Sequence, residues 1–456
     1  MHRDQLEQRN RELEAEVAEL KKLVAKLLDK IARLEKNSGN SSKPPSSDIT
    51  KPKRAFKDRK GKKRKTGGQK GRKACVRTPF PPSQVDVVVE HTLPDLDRDP
   101  ERYERLPDDD AAHQQVELVD RPWKVTEHRL ARYRDRRTGR VITTPRPGDV
   151  RLGLFGPRML AMTSCLKADL HGSYDAIRTF YRDALNLDVS AGFLAKATRR
   201  VSAALDGVYD GLTQKLREQP VVHVDETGHK ECGDRWWTWL GLSEEVMVLK
   251  IQPGRGSAQL YELLGDDFTG TLCSDSFSAY LKFCRENPEV KPQYCWAHAI
   301  RDVRFVLEHG DGRSRRWADK VLDQIKRMFK AWHRGQLAAC GRAGSALMKL
   351  CRNPGQGVDA RRLGTRLWKQ REGYLRFITA TGIEPTNNRA ERALRPVVLH
   401  RGVTQGTRGE AGRRWWERVF SVRATCRQHG RSVCTYLVAA IEHHAAGRMM
   451  PLPMDG

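Results

Sequence analysis

Val221-Val222-His223-Val224-Asp225-Glu226-Thr227 is an apolar run of strand length that stops at a carboxylate. Such a run reads as a buried β-strand carrying Asp225 to the end of a sheet, where chemistry sits in α/β layers. The pattern recurs downstream, where Gly270-Thr271-Leu272-Cys273-Ser274 is a second short strand-like run ending in Asp275. Far later, Asn387-Asn388-Arg389-Ala390-Glu391-Arg392-Ala393-Leu394-Arg395 opens a helix with Glu391 in its first turns. Three acids arriving on two strand ends and one helix can hold a pair of divalent cations roughly 3.5–4 Å apart, the arrangement that clamps the attacking and leaving oxygens of a phosphodiester displacement.

The elements between the acids follow a telling order. Strand 219–225 is followed by Trp236-Trp237-Thr238-Trp239-Leu240, then by Val246-Met247-Val248-Leu249-Lys250, and then by a helix over 257–264. Strand 270–275, a helix from Ser278 to about Arg285 and a strand near Tyr294-Cys295-Trp296 complete the run. A three-strand meander followed by strands alternating with helices is the ribonuclease H-like order, in which the first and fourth strands end side by side and bring Asp225 to Asp275. Glu226 is the rival ligand, but strand alternation turns it to the opposite face. Residues 311–380 read as a helical insertion, with Trp317, Phe329, Trp332, Leu337 and Leu347 spaced for a core, so the catalytic core is expected over 216–310 and 381–405. On the helix at 387–395, Asn388, Glu391 and Arg395 share a face, which leaves Arg395 for a phosphate.

Other motifs in this half have plainer readings. Cys295 and His298 carry the spacing of half a zinc site without a second pair, and are read as a structural pair rather than ligands. Trp236, Trp237 and Trp239 are read as core. Residues 406–456 form a basic C-terminal helical segment, in which Arg413, Arg414, Trp415, Trp416 and Arg418 mix cations with aromatics as DNA-binding surfaces do, with at least one Trp in the core.

Upstream, 151–215 turns helical: Met159–Leu170, Tyr174–Leu185 and, after the N-cap Ser190, Ala191–Leu205. The last two have helix-turn-helix spacing, with Lys196, Arg199 and Arg200 on the recognition helix. A helical bundle with basic outer faces fits the same pattern. Residues 76–150 alternate as a small β-rich module. Residues 38–75 form a Ser/Pro-rich then basic linker, expected to be disordered, in which Lys62, Lys63, Arg64 and Lys65 serve either as a sequence-blind DNA clamp or as a solubilising tether. In residues 1–37, Leu6, Leu13, Leu20, Leu27 and Leu34 recur every seventh position, with Asn10, Val17, Val24 and Ile31 at the other seam position. That is the pattern of a parallel two-stranded leucine zipper; the alternative is an amphipathic helix packed on its own chain, for which so strict a seam is narrow.

Composition narrows the partner. A net charge of +27 over 456 residues fits a polyanion, most simply nucleic acid. The absence of an apolar run of about 18 residues argues against a membrane role, and the charged N-terminus against a secretory signal, so a cytoplasmic, nucleoid-associated location is expected. The ten cysteines lack CxxC pairs and read as reduced thiols.

Taken together, Ser41-Ser42-Lys43-Pro44-Pro45-Ser46-Ser47-Asp48, Asp225-Glu226-Thr227, Ser274-Asp275 with Ser278-Ala279-Tyr280, Cys295-Trp296-Ala297-His298, and Asn387-Asn388 leading to Ala390-Glu391-Arg392-Ala393-Leu394-Arg395-Pro396 resemble the transposases of the bacterial insertion sequence sixty-six family. The resemblance spans nearly the whole chain. It implies a multidomain α/β protein: N-terminal coiled coil, small β-rich module, helical DNA-binding region, and ribonuclease H-like core with a helical insertion. It also implies a DDE transposase whose acids Asp225, Asp275 and Glu391 ligate two Mg²⁺ ions, with Mn²⁺ as substitute. Its partners would be the element's terminal inverted repeats, target DNA, further copies of itself through the coiled coil, and small accessory proteins. A catalytically degenerate DNA-binding derivative is the alternative. One departure from the family is plain: the Cys-rich zinc module that usually follows the basic linker lacks its cysteines here, so no zinc ligand set is expected at 76–150.

Overall fold

The computed structural model describes residues 3–34, 79–89, scattered positions between 98 and 127, 129–145 and 154–455. The linker calls at 38–75, including Lys62, Lys63, Arg64 and Lys65, therefore lie outside the described residues, as does nearly half of the 76–150 module. The chain divides into two compact units, Pro52–Glu127 and the remainder. In the smaller, Gln114 exchanges two hydrogen bonds with the Phe80 backbone, beside a short turn at Pro82–Gln84.

In the larger unit, helix α1 runs Arg3–Leu34. Leu13, Val17, Leu20, Val24, Leu27 and Ile31 are all exposed along it, so among the described residues these seam positions are uncovered. A small hairpin pairs β1 (Arg132–Arg134) with β2 (Val141–Thr143) around a turn in which Asp135 accepts the Arg137 and Thr138 N–H groups. Four helices follow: α2 (Pro157–Asp169), α3 (Tyr174–Leu185), α4 (Ala191–Ala204) and α5 (Asp206–Arg217). Ser173 and Ser190 cap α3 and α4 by accepting N–H groups three residues on, which satisfies donors that a helix start leaves orphaned.

The centre is a mixed sheet of β3 (Val221–Glu231), β4 (Asp234–Leu242), β5 (Met247–Gln252), β6 (Thr271–Ser274) and β7 (Lys291–Tyr294), in the order β5-β4-β3-β6-β7. β3, β4 and β5 form an antiparallel meander, and β6 and β7 run parallel to β3. Cys232 and Gly233 close the β3–β4 hairpin with φ of 51° and 95°, the doubly positive geometry that a two-residue turn matched to strand twist requires. Helix α6 (Ala258–Leu264) links β5 toward β6, and α7 (Ser278–Glu286) links β6 to β7. Pro292 is tolerated in β7 because that strand is an edge. The core includes Val222, Val224, Trp239, Leu240, Val248 and Leu272, all buried.

After β7 the chain is helical: α8 (Trp296–His309), α9 (Gly312–His333), α10 (Leu337–Arg352), α11 (Val358–Lys369), α12 (Arg371–Thr379), α13 (Asn388–Thr404), α14 (Glu410–Gln428) and α15 (Val433–Ala445). A second core joins Trp296, Trp317, Met328, Leu347, Leu367, Tyr374 and Phe377. The sequence reading of Tyr294-Cys295-Trp296 as strand is corrected: β7 stops at Tyr294 and Cys295 is the N-cap of α8, its sulfur accepting the Asn387 N–H at 3.1 Å.

Helix α14 solves an edge problem. β5 is the outer strand, so the N–H groups of Met247, Leu249 and Ile251 have no strand partner, an exposed row that invites mispairing. Thr425 Oγ1, Ser421 Oγ and Glu417 Oε1, spaced by four along α14, accept them at 3.2, 2.9 and 2.7 Å. Ser421 is fully buried. Ser421→Ala therefore strands the Leu249 N–H and is expected to cost about 1–3 kcal/mol. Thermal unfolding checks this; an unchanged melting temperature would mean that the helix covers the edge by packing alone.

Candidate active site

Asp225 does not end its strand, because β3 continues to Glu231 in the hairpin with β4. It does stand where pairing with β6 stops. The parallel register matches Val221 to Thr271, Val222 to Leu272 and His223 to Cys273, so two residues further on Asp225 comes level with Asp275. Asp225 accepts its neighbour Glu226's N–H at 2.9 Å, and Asp275 accepts the Phe277 N–H at the same distance. Each keeps a sliver of solvent contact, yet surrounding atoms desolvate both. Burial first, then Glu226, Asp275 and Glu391, raise Asp225 well above the usual carboxylate range. Asp275 is pushed up to about 6 by burial and then by Glu226, with Glu391 adding to the rise. Carboxylates that raise their neighbours in this way form a knot of mutually repelling charge, which Arg255 offsets only in part at Asp275.

Glu391 reaches this knot because its helix is stitched to β3. The Asn387 side chain, almost fully buried, meets His223 Nδ1 at 2.9 Å and donates to the Val224 carbonyl at 2.8 Å, while its backbone N–H goes to Cys295 Sγ. Trp296 N–H bonds the Pro385 carbonyl at 3.0 Å. The loop before α13 is thus fixed to both the strand bearing Asp225 and the start of α8, and Glu391 follows one turn later. At the other end of α13, Arg401 bonds Thr227 Oγ1 at 2.9 Å and the Gly228 carbonyl. Glu391 itself is raised, chiefly by burial, against the lowering pull of Arg301, whose guanidinium lies 3.7 Å away.

The sheet delivers Glu226 to different partners. Arg255 holds one of its oxygens at 2.6–2.7 Å and the Tyr280 hydroxyl donates to the other. Arg255 in turn lies over the rings of Trp237 and Phe277. The structure thus brings Asp225, Asp275 and Glu391 into one electrostatic cluster to which Glu226 also belongs, with both Glu226 oxygens bonded to Arg255 and Tyr280. Lys196, Arg199 and Arg200 are exposed on α4, and Arg395 is exposed on α13. Trp239 is fully buried and donates to the Gly254 carbonyl, and Trp236 and Trp237 are half-buried under Arg413, Arg235 and Arg255. Trp415 and Trp416 are both buried.

Sequence reasoning missed Asn387 as the tether and Arg255 and Tyr280 as the clamp on Glu226. It also missed that Glu391 joins Cys295 and His298: one ligand atom from each lies within 4.8 Å of the others. Burial lifts the Cys295 thiol to about 11, and lowers His298 to about 4 with help from Arg301.

Residues 152–414 match the transposase IS66 family, a span that contains all three acids. The chain belongs to the IS66 transposase family. Residues 2–78 match a family of unknown function. Among known relatives of this IS66-family chain, the uncharacterised protein y4qI of Sinorhizobium fredii is 24% identical over 407 residues, covering 80% of this chain and 73% of that protein. Membership makes the function transposase-related and DNA its partner. Among the described residues, no helix is long and apolar enough to cross a membrane.

Proposed function

We infer that this IS66-family chain is an active DDE transposase, cutting and joining DNA strands at insertion-sequence ends on a ribonuclease H-like core. The observation that carries this is the convergence of Asp225, Asp275 and Glu391 from β3, the end of β6 and α13, each with a raised carboxyl. The sheet order, a meander followed by two parallel strands, supports the ribonuclease H-like assignment. Three hard oxygen donors, with the Arg301 guanidinium 3.7 Å from Glu391 and the pull of Arg255 on Asp275 offsetting their charge only in part, fit a pair of Mg²⁺ ions, or Mn²⁺ in their place. Asp225, Asp275 and Glu391 would hold such ions, whose charge would supply Lewis-acid stabilisation for a water or DNA 3′-hydroxyl and for the departing oxygen. The protein's part is positional. Asn387 holds the Glu391 helix against β3, Asp275 is fixed by the Phe277 N–H, and Arg255 and Tyr280 occupy Glu226 so that it does not compete for the ions. Exposed Arg395, one turn beyond Glu391, is placed for a phosphate of the bound strand. Incubating the protein with linear DNA carrying the element's ends, Mg²⁺ and any accessory proteins tests this. Nicks at the ends are expected; binding without cutting, in Mg²⁺ and in Mn²⁺, would instead mark a degenerate DNA-binding derivative.

The exposed seam of α1 supports pairing between copies through a coiled coil. The intact chain is then at least dimeric, and one beginning near Ser46 has lower mass per particle by light scattering. Monomers in both cases would end the zipper reading.

Lys62, Lys63, Arg64 and Lys65 are proposed to contact phosphates, while Lys196, Arg199 and Arg200 face DNA from α4. Neutralising the four residues of the tract should weaken binding to every DNA sequence and flatten the slope of log affinity against log salt by up to about four units. An unchanged slope would leave the tract as a tether.

A further inference from the structure

Glu391 stands among two sets of ligands. Besides the other acids, it faces Cys295, the N-cap of α8, and His298, one turn into the same helix. Cys295 Sγ, a His298 ring nitrogen and a Glu391 carboxylate oxygen all lie within 4.8 Å of one another. We propose that Cys295, His298 and Glu391 bind a thiophilic divalent cation of the Zn²⁺ class, separate from the Mg²⁺ ions held by Asp225 and Asp275.

The donor set selects the ion. One thiolate, one imidazole and one carboxylate are ordinary zinc ligands, and three protein ligands leave a fourth position open for water or a phosphate oxygen. Mg²⁺ takes oxygen and leaves sulfur alone, so the two sites discriminate by chemistry. Two negative ligands also balance the charge of the cation.

The geometry points the same way. His298 Nδ1 and Glu391 Oε1 lie 3.8 Å apart, too far for a hydrogen bond. Both atoms are buried, and neither has a hydrogen-bond partner among the described residues, although the Arg301 guanidinium stands 3.7 Å from the same Glu391 oxygen. Buried polar atoms left unpaired are rare and call for a partner. A cation between them supplies one, at a spacing close to that of two adjacent ligands on a tetrahedral ion with bonds of about 2.0–2.2 Å. The third corner is preset, because Cys295 Sγ is already held in place by the Asn387 N–H it accepts. A carboxylate has two oxygens, so Glu391 can serve both sets. The proposal does not depend on the chain's being an active transposase.

The test is a Co²⁺ titration of the metal-free full-length protein, followed by optical absorption, with cobalt standing in for zinc. Sulfur ligation gives an intense thiolate-to-cobalt charge-transfer band, which Mg²⁺ cannot produce. One equivalent of Co²⁺ should raise the band in the wild type, and Zn²⁺ should abolish it by displacement. Cys295→Ser and His298→Ala should each lose the band, whereas Asp225→Asn should keep it. If Cys295→Ser fails to fold because the Asn387 N–H loses its acceptor, His298→Ala, which leaves that bond in place, carries the test. Absence of the band in the wild type, its full retention in His298→Ala, or its loss in Asp225→Asn would each overturn the proposal. Failure of the two-metal reading shows separately, as an absence of Mg²⁺-dependent cleavage with the cobalt band intact.

Discussion

Asp225→Asn, Asp275→Asn and Glu391→Gln are each expected to lower the rate of Mg²⁺-dependent strand cleavage and joining by about 10³-fold or more, while folding and DNA binding persist. A metal ion stabilises transition-state charge by several kcal/mol, and each 1.36 kcal/mol is a factor of ten. Because that charge develops only in the transition state, the loss should appear in rate and not in affinity. The isosteric amides keep the shape of each site and remove charge from a cluster whose members repel one another, so the metal-free proteins should melt no lower than wild type. Glu226→Gln is the contrasting case. Its oxygens are held by Arg255 and Tyr280, so its cost should fall mainly on stability, through the loss of a buried partner for Arg255, and cleavage should survive. Cleavage as weak in Glu226→Gln as in Asp225→Asn, at equal thermal stability, would show the ligands to be wrongly assigned.

The second large effect is structural in origin and catalytic in consequence. Asn387→Leu leaves the His223 imidazole and the Val224 carbonyl, both buried, without the partners they now have. At about 1–3 kcal/mol for each unpaired group, the loss should be roughly 2–6 kcal/mol, read from denaturant unfolding. The same substitution cuts the tie between the Glu391 helix and β3. Below the melting temperature, cleavage should therefore fall further than the folded fraction accounts for. A variant as stable as wild type would mean that Asn387 tethers nothing, and cleavage that tracked the folded fraction would mean that the tether does not position Glu391.

The sheet was legible where burial and sequence polarity agree. Val222, Val224, Trp239, Leu240, Val248 and Leu249 are apolar and buried, and they mark β3, β4 and β5 from sequence alone. Agreement fails past Asp225, where polar residues continue the strand. His229 is buried because its ring nitrogens meet Thr407 and Thr238 and its face lies on Trp416, partners remote in sequence that no local pattern discloses. For the same reason the basic C-terminal segment reads as a DNA-binding surface with at least one Trp in the core, whereas Trp415, Trp416, Phe420 and Val422 are all core residues of α14. Its polar stripe Glu417, Ser421 and Thr425 caps an edge strand that sequence could not pair with it. At the site, the two aspartates stand out in the sequence through the recurrence of an apolar run ending in an acid. Asn387, Arg255 and Tyr280 were not found, since their roles depend on which element lies opposite. Nor could the spacing of Cys295 and His298 reveal that Glu391, 93 positions beyond His298, completes their cluster.

The central claim is that Asp225, Asp275 and Glu391 together hold two catalytic cations. Anomalous diffraction from crystals of the protein grown with Mn²⁺ and DNA carrying the element's end tests it most directly. Two Mn²⁺ peaks are predicted, contacted between them by all three acids and not by Glu226. A lone peak, no peak, or ligation through Glu226 in place of Glu391 would contradict the account.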